Sequence, residues 1–110
     1  MTVTNAKKGI VINQASQVNM ENIKVEVIKM TLKDTVEMMN SNDYKERFKA
    51  EYYQLEIRVN GLKKILDKWD NGELDFTPTC PRNAYNNQFE YMVNYMTVLA
   101  DRAAMEGIEL

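Results

Sequence analysis

Residues 48–69 read FKAEYYQLEIRVNGLKKILDKW, and the spacing of apolar residues in this stretch dictates the architecture of the chain. Its large apolar residues recur after four and then three positions, which is the spacing of a heptad seam along one side of an α-helix. Asp43 and Glu46 fit a capping pair ahead of the seam, and Asn71-Gly72 fits a helix stop. The sequence therefore predicts a long helix over residues 43–71, whose seam consists of Phe48, Tyr52, Leu55, Val59, Leu62, Leu66 and Trp69.

The same period returns after a predicted loop over residues 72–79. Pro81 suits the first turn of a helix and Gly107 suits its end, so a second long helix is predicted over residues 80–106. A loop of about eight residues between two long helices implies that they run antiparallel. The second seam consists of Tyr85, Phe89, Met92, Met96, Leu99 and Ala103.

The N-terminal part of the chain has a different pattern. A β-branched run at residues 10–12 and the alternation of apolar and charged residues over 23–27 predict a β-hairpin in an extension over residues 1–30. Thr31 begins a capping-box sequence. This sequence predicts a short helix over residues 32–40.

The last helix also has more apolar surface than one neighbouring helix can cover. Tyr91, Tyr95 and Val98 lie beside its seam, and a chain of 110 residues buries only a modest share of its surface alone. We therefore expect copies of the chain to associate. The predicted fold class is mainly α: an antiparallel hairpin of long helices in a helical domain over residues 31–110, preceded by the short helix and the small β-hairpin, and assembling as a homo-oligomer.

The composition makes an enzyme improbable. The chain has no histidine, and its single cysteine, Cys80, lacks a partner base, so we expect a small buried thiol there. Four scattered glycines match no phosphate-binding loop, and the acidic pairs at the helix ends are typical of solvated surface. The sequence thus predicts no catalytic residue, no cofactor and no metal site.

The charge and hydropathy patterns narrow the range of partners. A formal net charge of −2 argues against a nucleic-acid polymer, although it allows a small anionic ligand. No apolar run approaches the roughly 20 residues that span a bilayer, and a lone cysteine favours a reducing compartment. We expect a cytoplasmic protein with no membrane partner.

Aromatic and basic residues gather at the two ends of the first long helix. Lysine and arginine surround Phe48 at its start, and three lysines precede Trp69 at its end, with Phe76 and Arg82 following. Aromatic faces beside cations suit a nucleotide, whose base stacks and whose phosphate binds charge. The alternative is that both rings belong to the seam and the bases are its solvated flanks, and the pattern alone leaves both interpretations open.

Three segments carry a family resemblance: DYKERFKAEYYQL at 43–55, KWDNGELDFTPTCP at 68–81 and LADRAAMEGIEL at 99–110. They resemble small phage and prophage proteins of Gram-positive bacteria that are called crAssphage-related. The resemblance covers about residues 31–110. In its helical-hairpin pattern this group is similar to phage sponge proteins, which sequester cyclic nucleotide signals of CBASS immunity or cyclic ADP-ribose signals of Thoeris immunity.

The resemblance implies a phage-encoded, non-enzymatic sponge that counteracts bacterial anti-phage defence in the infected cell. Sponges of the anti-CBASS type form compact hexamers that hold ligands between protomers, so a homo-oligomer with ligand sites between chains is expected. Aromatics would stack on bases, arginine and lysine would meet phosphates, and threonines would donate hydrogen bonds. The implied ligand-binding residues are Arg47, Phe48, Tyr52, Lys68, Trp69, Phe76, Thr77, Thr79 and Arg82.

Two other classes of function remain as alternatives. A helical adaptor would bind a host or phage protein through the apolar stripe that includes Tyr91 and Tyr95, with no effect of small molecules. An enzyme that degrades the signal would release it altered, whereas a sponge would release it unchanged.

Overall fold

The computed structural model describes residues 30–110 of the chain. A 3-10 turn over Leu32–Thr35 leads into one α-helical turn, α1 (Val36–Met39), and two long helices follow, α2 (Tyr44–Asp70) and α3 (Arg82–Glu106). Residues 30–110 contain no strand, and the prediction of a mainly helical fold is confirmed. The predicted β-hairpin lies outside the described residues.

The start of α2 is fixed by side chains in the preceding turn. Asp43 has extended backbone (φ −87, ψ 118), and its Oδ1 accepts a hydrogen bond of 3.0 Å from the N–H of Lys45, as expected of an N-cap. Its own N–H donates to Ser41 Oγ at 3.0 Å. Glu46 pairs with Lys49 at 3.5 Å. Asp43 therefore caps the helix as predicted, but Ser41 takes the role that the sequence assigned to Glu46.

The end of α2 confirms the predicted glycine stop. Gly72 has a φ of 71°, and the N–H of Glu73 donates to the carbonyl of Lys68 at 2.8 Å. The N–H of Gly72 donates to the carbonyl of Trp69 at 3.1 Å. These two bonds form a Schellman motif, which satisfies carbonyls that the helix end leaves free.

Helix α3 begins later than the sequence predicted. Pro81 is the N-cap residue, with extended backbone (φ −67, ψ 156), so the first helical residue is Arg82 rather than Cys80. Cys80 stays in the loop and is exposed, so the expectation of a buried thiol is wrong. The helix ends at Gly107 (φ 71°) as predicted, and the chain then turns Ile108 back into the core.

The two long helices pack antiparallel through their seams. Tyr44 at the start of α2 bonds Glu106 at the end of α3, while Trp69 at the end of α2 contacts Tyr85 near the start of α3. Apolar residues from both helices interlock between these points, which removes their surfaces from water. The core cluster consists of Phe48, Tyr52, Leu55, Val59, Met96, Leu99, Ala103 and Ile108.

The segment before α2 packs a polar residue inward. Thr35 is fully buried, and its hydroxyl donates to the carbonyl of Leu32 at 2.7 Å and accepts from Gln54 of α2 at 3.3 Å. The apolar side chains of this short segment, Val36 and Met39 among them, are exposed by about two fifths. The segment is thus held to α2 by a buried hydroxyl.

Candidate functional site

The first candidate site lies where the loop joins the long helices. Trp69 is half-buried in the last turn of α2, and the Tyr85 ring meets it edge-on at 5.5 Å between centroids. The guanidinium carbon of Arg82 lies 5.1 Å from the centre of the Trp69 ring, within the range of a cation–π contact. We call Trp69, Arg82, Tyr85 and their neighbours in residues 68–82 the loop-end cluster.

Arg82 is held in place by a carboxylate and an amide. Its Nη1 and Nη2 donate to the two oxygens of Asp70 at 2.7 and 3.4 Å, and its Nε donates to Asn86 Oδ1 at 2.9 Å. The hydrogen bond from Arg82 lowers the pKa of Asp70. An arginine has five N–H donors, so two remain for an incoming anion.

The remaining predicted residues of this end are open to solvent. Phe76 is 48% exposed, and Thr77, Thr79 and Lys68 are exposed as well. The structure thus brings together the loop residues, Trp69 and Arg82 at one end of the hairpin. Accessible rings, hydroxyls and cations lie within a few residues of one another there.

The second cluster lies at the opposite, open end of the hairpin. Arg102 Nη2 donates to the Tyr44 hydroxyl at 2.9 Å, and that hydroxyl donates to Glu106 Oε1 at 2.9 Å. The guanidinium carbon of Arg102 also lies 5.1 Å from the centre of the Phe48 ring. The hydrogen bond to Glu106 raises the pKa of Tyr44. We call Tyr44, Arg47, Phe48, Arg102 and Glu106 the open-end cluster.

The three predicted residues of this end occupy different places. Phe48 and Tyr52 are core residues, 3% and 5% exposed, and burial raises the pKa of the Tyr52 phenol. Arg47 is exposed, and its Nη1 donates to the carbonyl of Ser41 at 2.7 Å. Phe48 and Tyr52 therefore offer a ligand almost no surface in this conformation. Arg47 keeps a solvent-facing charge.

The structure does not bring the two clusters together within one chain. The positions of Phe48 and Trp69 on α2 put about 32 Å between them at a rise of about 1.5 Å per residue. A cyclic nucleotide is much shorter than this distance. Within one chain the predicted residues therefore form two separate clusters, one at each end of the hairpin.

Two residues of the open end were missed by sequence reasoning. Arg102 and Tyr44 contact each other across 58 positions of sequence, a pairing that no local pattern shows. A signal was present nonetheless, because α3 carries few charges and Arg102 is one of them. On a helix with few charges, an arginine beside the apolar seam marks a position that apolar packing alone does not explain.

An open groove runs along the outer side of α3. It encloses about 440 Å³ and is lined by Tyr91, Tyr95, Met92 and smaller side chains of the same helix. The Tyr95 hydroxyl donates to Glu51 of α2. Tyr91 is 68% exposed and Val98 54%. The apolar stripe that the sequence left uncovered is therefore exposed in the described chain.

The described part of the chain contains neither a cluster of metal-ligand side chains nor a membrane-spanning helix. Within residues 30–110, no three side chains of histidine, cysteine, aspartate or glutamate gather to hold a metal ion. None of the helices there has both the length and the hydropathy to cross a bilayer.

Comparison with known proteins identifies one family. Residues 42–105 match the family model of Sequestin, a stretch that contains all of α2 and nearly all of α3. No curated protein and no solved structure gives a significant match. The relation to crAssphage-related proteins stays a prediction. Because the family model covers more than half of the chain, this protein belongs to the Sequestin family.

Proposed function

We propose that the chain is a non-enzymatic sequestering protein that binds a small cyclic nucleotide, or a signal of the cyclic ADP-ribose type. By holding the signal it lowers the free concentration that a bacterial immune receptor senses. It acts as a homo-oligomer in the cytoplasm of an infected bacterium. The observation that carries the proposal is the Sequestin match over residues 42–105, since the family is named for sequestration.

The loop-end cluster supports a nucleotide as the ligand. The Phe76 ring is accessible for stacking on a base, and the cation of Arg82 is already oriented on the Trp69 ring. Lys68 adds a second, exposed positive charge nearby. Arginine and lysine together suit a phosphate, because charge-assisted hydrogen bonds are stronger than neutral ones.

The pairing of Arg82 with Asp70 supports holding over catalysis. A guanidinium fixed by three hydrogen bonds is positioned before the ligand arrives, so binding costs little side-chain entropy. The threonine hydroxyls of the loop, Thr77 and Thr79, are exposed and can donate to ribose or phosphate oxygens. A pocket of this kind needs no reacting group in order to retain a signal.

The test is calorimetric titration of the purified protein with cyclic dinucleotides, cyclic trinucleotides and cyclic ADP-ribose isomers, with AMP and linear ADP-ribose as matched controls. We expect one cyclic class to bind with a submicromolar Kd, and the bound ligand to be recovered chemically unchanged after the protein is denatured. Recovery of an altered ligand would indicate an enzyme. Absence of binding across the cyclic classes would contradict sequestration.

Two loop-end variants locate the site. Phe76→Ala and Lys68→Ala remove an exposed ring and an exposed charge, so we expect each to weaken binding by at least about tenfold without unfolding the chain. Lys64→Ala is the matched control, because Lys64 is an exposed lysine of the same helix one turn away from the loop-end cluster. Equal loss of affinity in all three variants would argue against this location.

A second function is favoured by the exposed surface of α3. Tyr91, Val98 and Met105 are 68%, 54% and 78% exposed, and apolar patches of this kind often bind proteins. An adaptor would use this face for a host or phage protein. It would show no response to the nucleotide panel, and it would lose that protein partner when Tyr91 becomes glutamate.

A further inference from the structure

The exposed surface of α3 is a second heptad seam. Its residues follow one another after four and then three positions along the whole helix, and every one of them is exposed. They form a stripe beside the buried seam and span about 31 Å at the helical rise. The outer stripe consists of Ala84, Gln88, Tyr91, Tyr95, Val98, Arg102 and Met105.

The outer stripe lacks the charges that keep a helix surface in water. Arg102 is its one charged residue, and between Asn83 and Ala100 the whole helix carries a single charge, at Glu90. A helix that faces solvent on three sides normally has polar and charged residues there. A heptad stripe of tyrosine, valine and methionine instead has the composition of a helix–helix contact.

The stripe is complementary to itself when reversed. If two copies meet antiparallel with Tyr95 near the centre, small Ala84 faces long Met105, and Gln88 faces Arg102. Tyr91 then faces Val98. Away from the centre each large side chain is thus opposed by a smaller or unbranched one, and at the centre Tyr95 meets Tyr95 of the partner subunit. The positive Arg102 meets an amide oxygen rather than another cation. In the parallel arrangement Arg102 would face Arg102, and like charges placed together are destabilising.

We propose that the outer stripe of α3 packs antiparallel on the same stripe of a second copy, and that this dimer completes the ligand site. The inference rests on the proposed function for the identity of the ligand, but not for the interface. The groove beside Tyr91 then receives Val98 and Met105 of the partner subunit. Such a two-fold contact is the commonest symmetry among homo-oligomers.

The antiparallel arrangement brings the loop-end cluster of one chain and the open-end cluster of its partner together. In this register Arg82 of one copy lies opposite the partner's Gly107, so the loop-end cluster of one chain comes beside the open-end cluster of the other. The separation of about 32 Å between Phe48 and Trp69 within one chain is no obstacle, because the open-end cluster beside each loop end belongs to the partner subunit. Trp69, Phe76 and Arg82 would come from one chain, and Arg47 from its partner, twice per dimer.

Cysteine cross-linking tests the register. In a Cys80→Ser background, chains with Tyr91→Cys are mixed with chains carrying Val98→Cys and are then oxidised. Residues 91 and 98 face each other in the proposed dimer, so the mixture forms a covalent dimer, since disulfides need Cα atoms about 4.4–6.8 Å apart. Each variant alone leaves its cysteines about 10 Å apart along the axis and stays uncross-linked.

The control variant is Lys64→Cys, on the charged outer side of α2, and it stays uncross-linked under the same conditions. Rapid cross-linking of Tyr91→Cys by itself would show a parallel contact, and failure of the mixture to cross-link would show that the stripe is not the interface. Either result overturns the inference. Sedimentation of the wild-type chain as a monomer at high concentration would do the same.

A complementation experiment tests the shared site. Phe76→Ala disables the loop end and Arg47→Ala the open end, so each variant alone binds the signal at least about tenfold more weakly. Mixing them forms hybrid dimers with one intact site, which restores tight binding at about one quarter of all sites for random pairing. No recovery, with both variants still dimeric and wild type still binding, would place the site within one chain. If the wild-type protein binds no cyclic nucleotide, the proposed function is wrong. The cross-linking experiment needs no ligand, so it tests the interface independently.

Discussion

The helices α2 and α3 have similar lengths and each buries one heptad seam, yet their outer surfaces differ. Twelve of the 27 residues of α2 are charged, against five of the 25 residues of α3. The charges of α2 also pair along its surface, as Lys63 does with Asp67 at 2.9 Å. The outer surface of α2 is charged and suits contact with water, whereas the outer surface of α3 exposes tyrosine, valine and methionine. The hairpin therefore has one outer surface that suits water and one that suits a helix–helix contact.

The largest change in stability is expected on the side of α3 that packs against α2. Leu99 is 1% exposed and its neighbour Val98 54%, so the pair compares the two faces of one helix. Leu99→Ala should lower the free energy of unfolding by about 2–5 kcal/mol through a cavity in the core. Val98→Ala should cost less than about 1 kcal/mol in dilute protein. Urea unfolding at two concentrations checks both, and equal losses would contradict the assignment of faces.

The next effect concerns association rather than folding. Tyr91→Glu places a charge in the outer stripe, so we expect the Kd of the dimer to rise by at least about 100-fold, with the monomer still folded. Lys64→Glu reverses a charge on the exposed side of α2 and should leave the Kd within about threefold. Sedimentation equilibrium measures both values. If the two variants dimerise equally well, the outer surfaces of α2 and α3 do not differ in role.

The buried side of this comparison could be predicted from the sequence. Phe48, Leu55 and Val59 repeat within one helix, so their period alone indicates which face of α2 is buried. Gly72 and Gly107 marked both helix ends, since each is needed at a positive φ. The start of α3 differs from the prediction because Pro81 adopts extended backbone at the N-cap instead of helical backbone in the first turn, and the sequence alone does not distinguish these two positions.

The candidate site was less predictable because it depends on distant contacts. Trp69 and Phe76 lie close in sequence, so their grouping with Arg82 at one end could be anticipated. The pairing of Arg102 with Tyr44 and Phe48 requires the hairpin to close, and no local spacing encodes it. The division of the predicted residues into two clusters follows from the length of α2, and their positions in the sequence already indicated it.

A smaller effect is expected at the middle of α2. Gly61 is exposed, and a Cβ built there meets nothing within 4 Å. Gly61→Ala should raise the free energy of unfolding by about 0.5–1 kcal/mol, because alanine loses less backbone entropy than glycine in a helix. Thermal unfolding measures the gain. A loss of stability instead would mean that another chain approaches α2 at Gly61. The outer surface of α2 would then not be fully solvated, and the contrast with α3 would be weaker.

The smallest effect tests the ion pair that joins the two helices at the loop. The hydrogen bond from Arg82 lowers the folded-state pKa of Asp70, so the pair stabilises the fold above the ordinary aspartate pKa of about 3.9. That stabilisation is lost as the pH falls through the lowered, folded-state pKa. Asp70→Asn should therefore lower the melting temperature slightly at pH 7, and the difference from wild type should shrink towards pH 2. The difference should shrink because a protonated carboxyl and an amide carry no charge. A difference that is constant across this range would mean that the charge of Asp70 does not stabilise the fold.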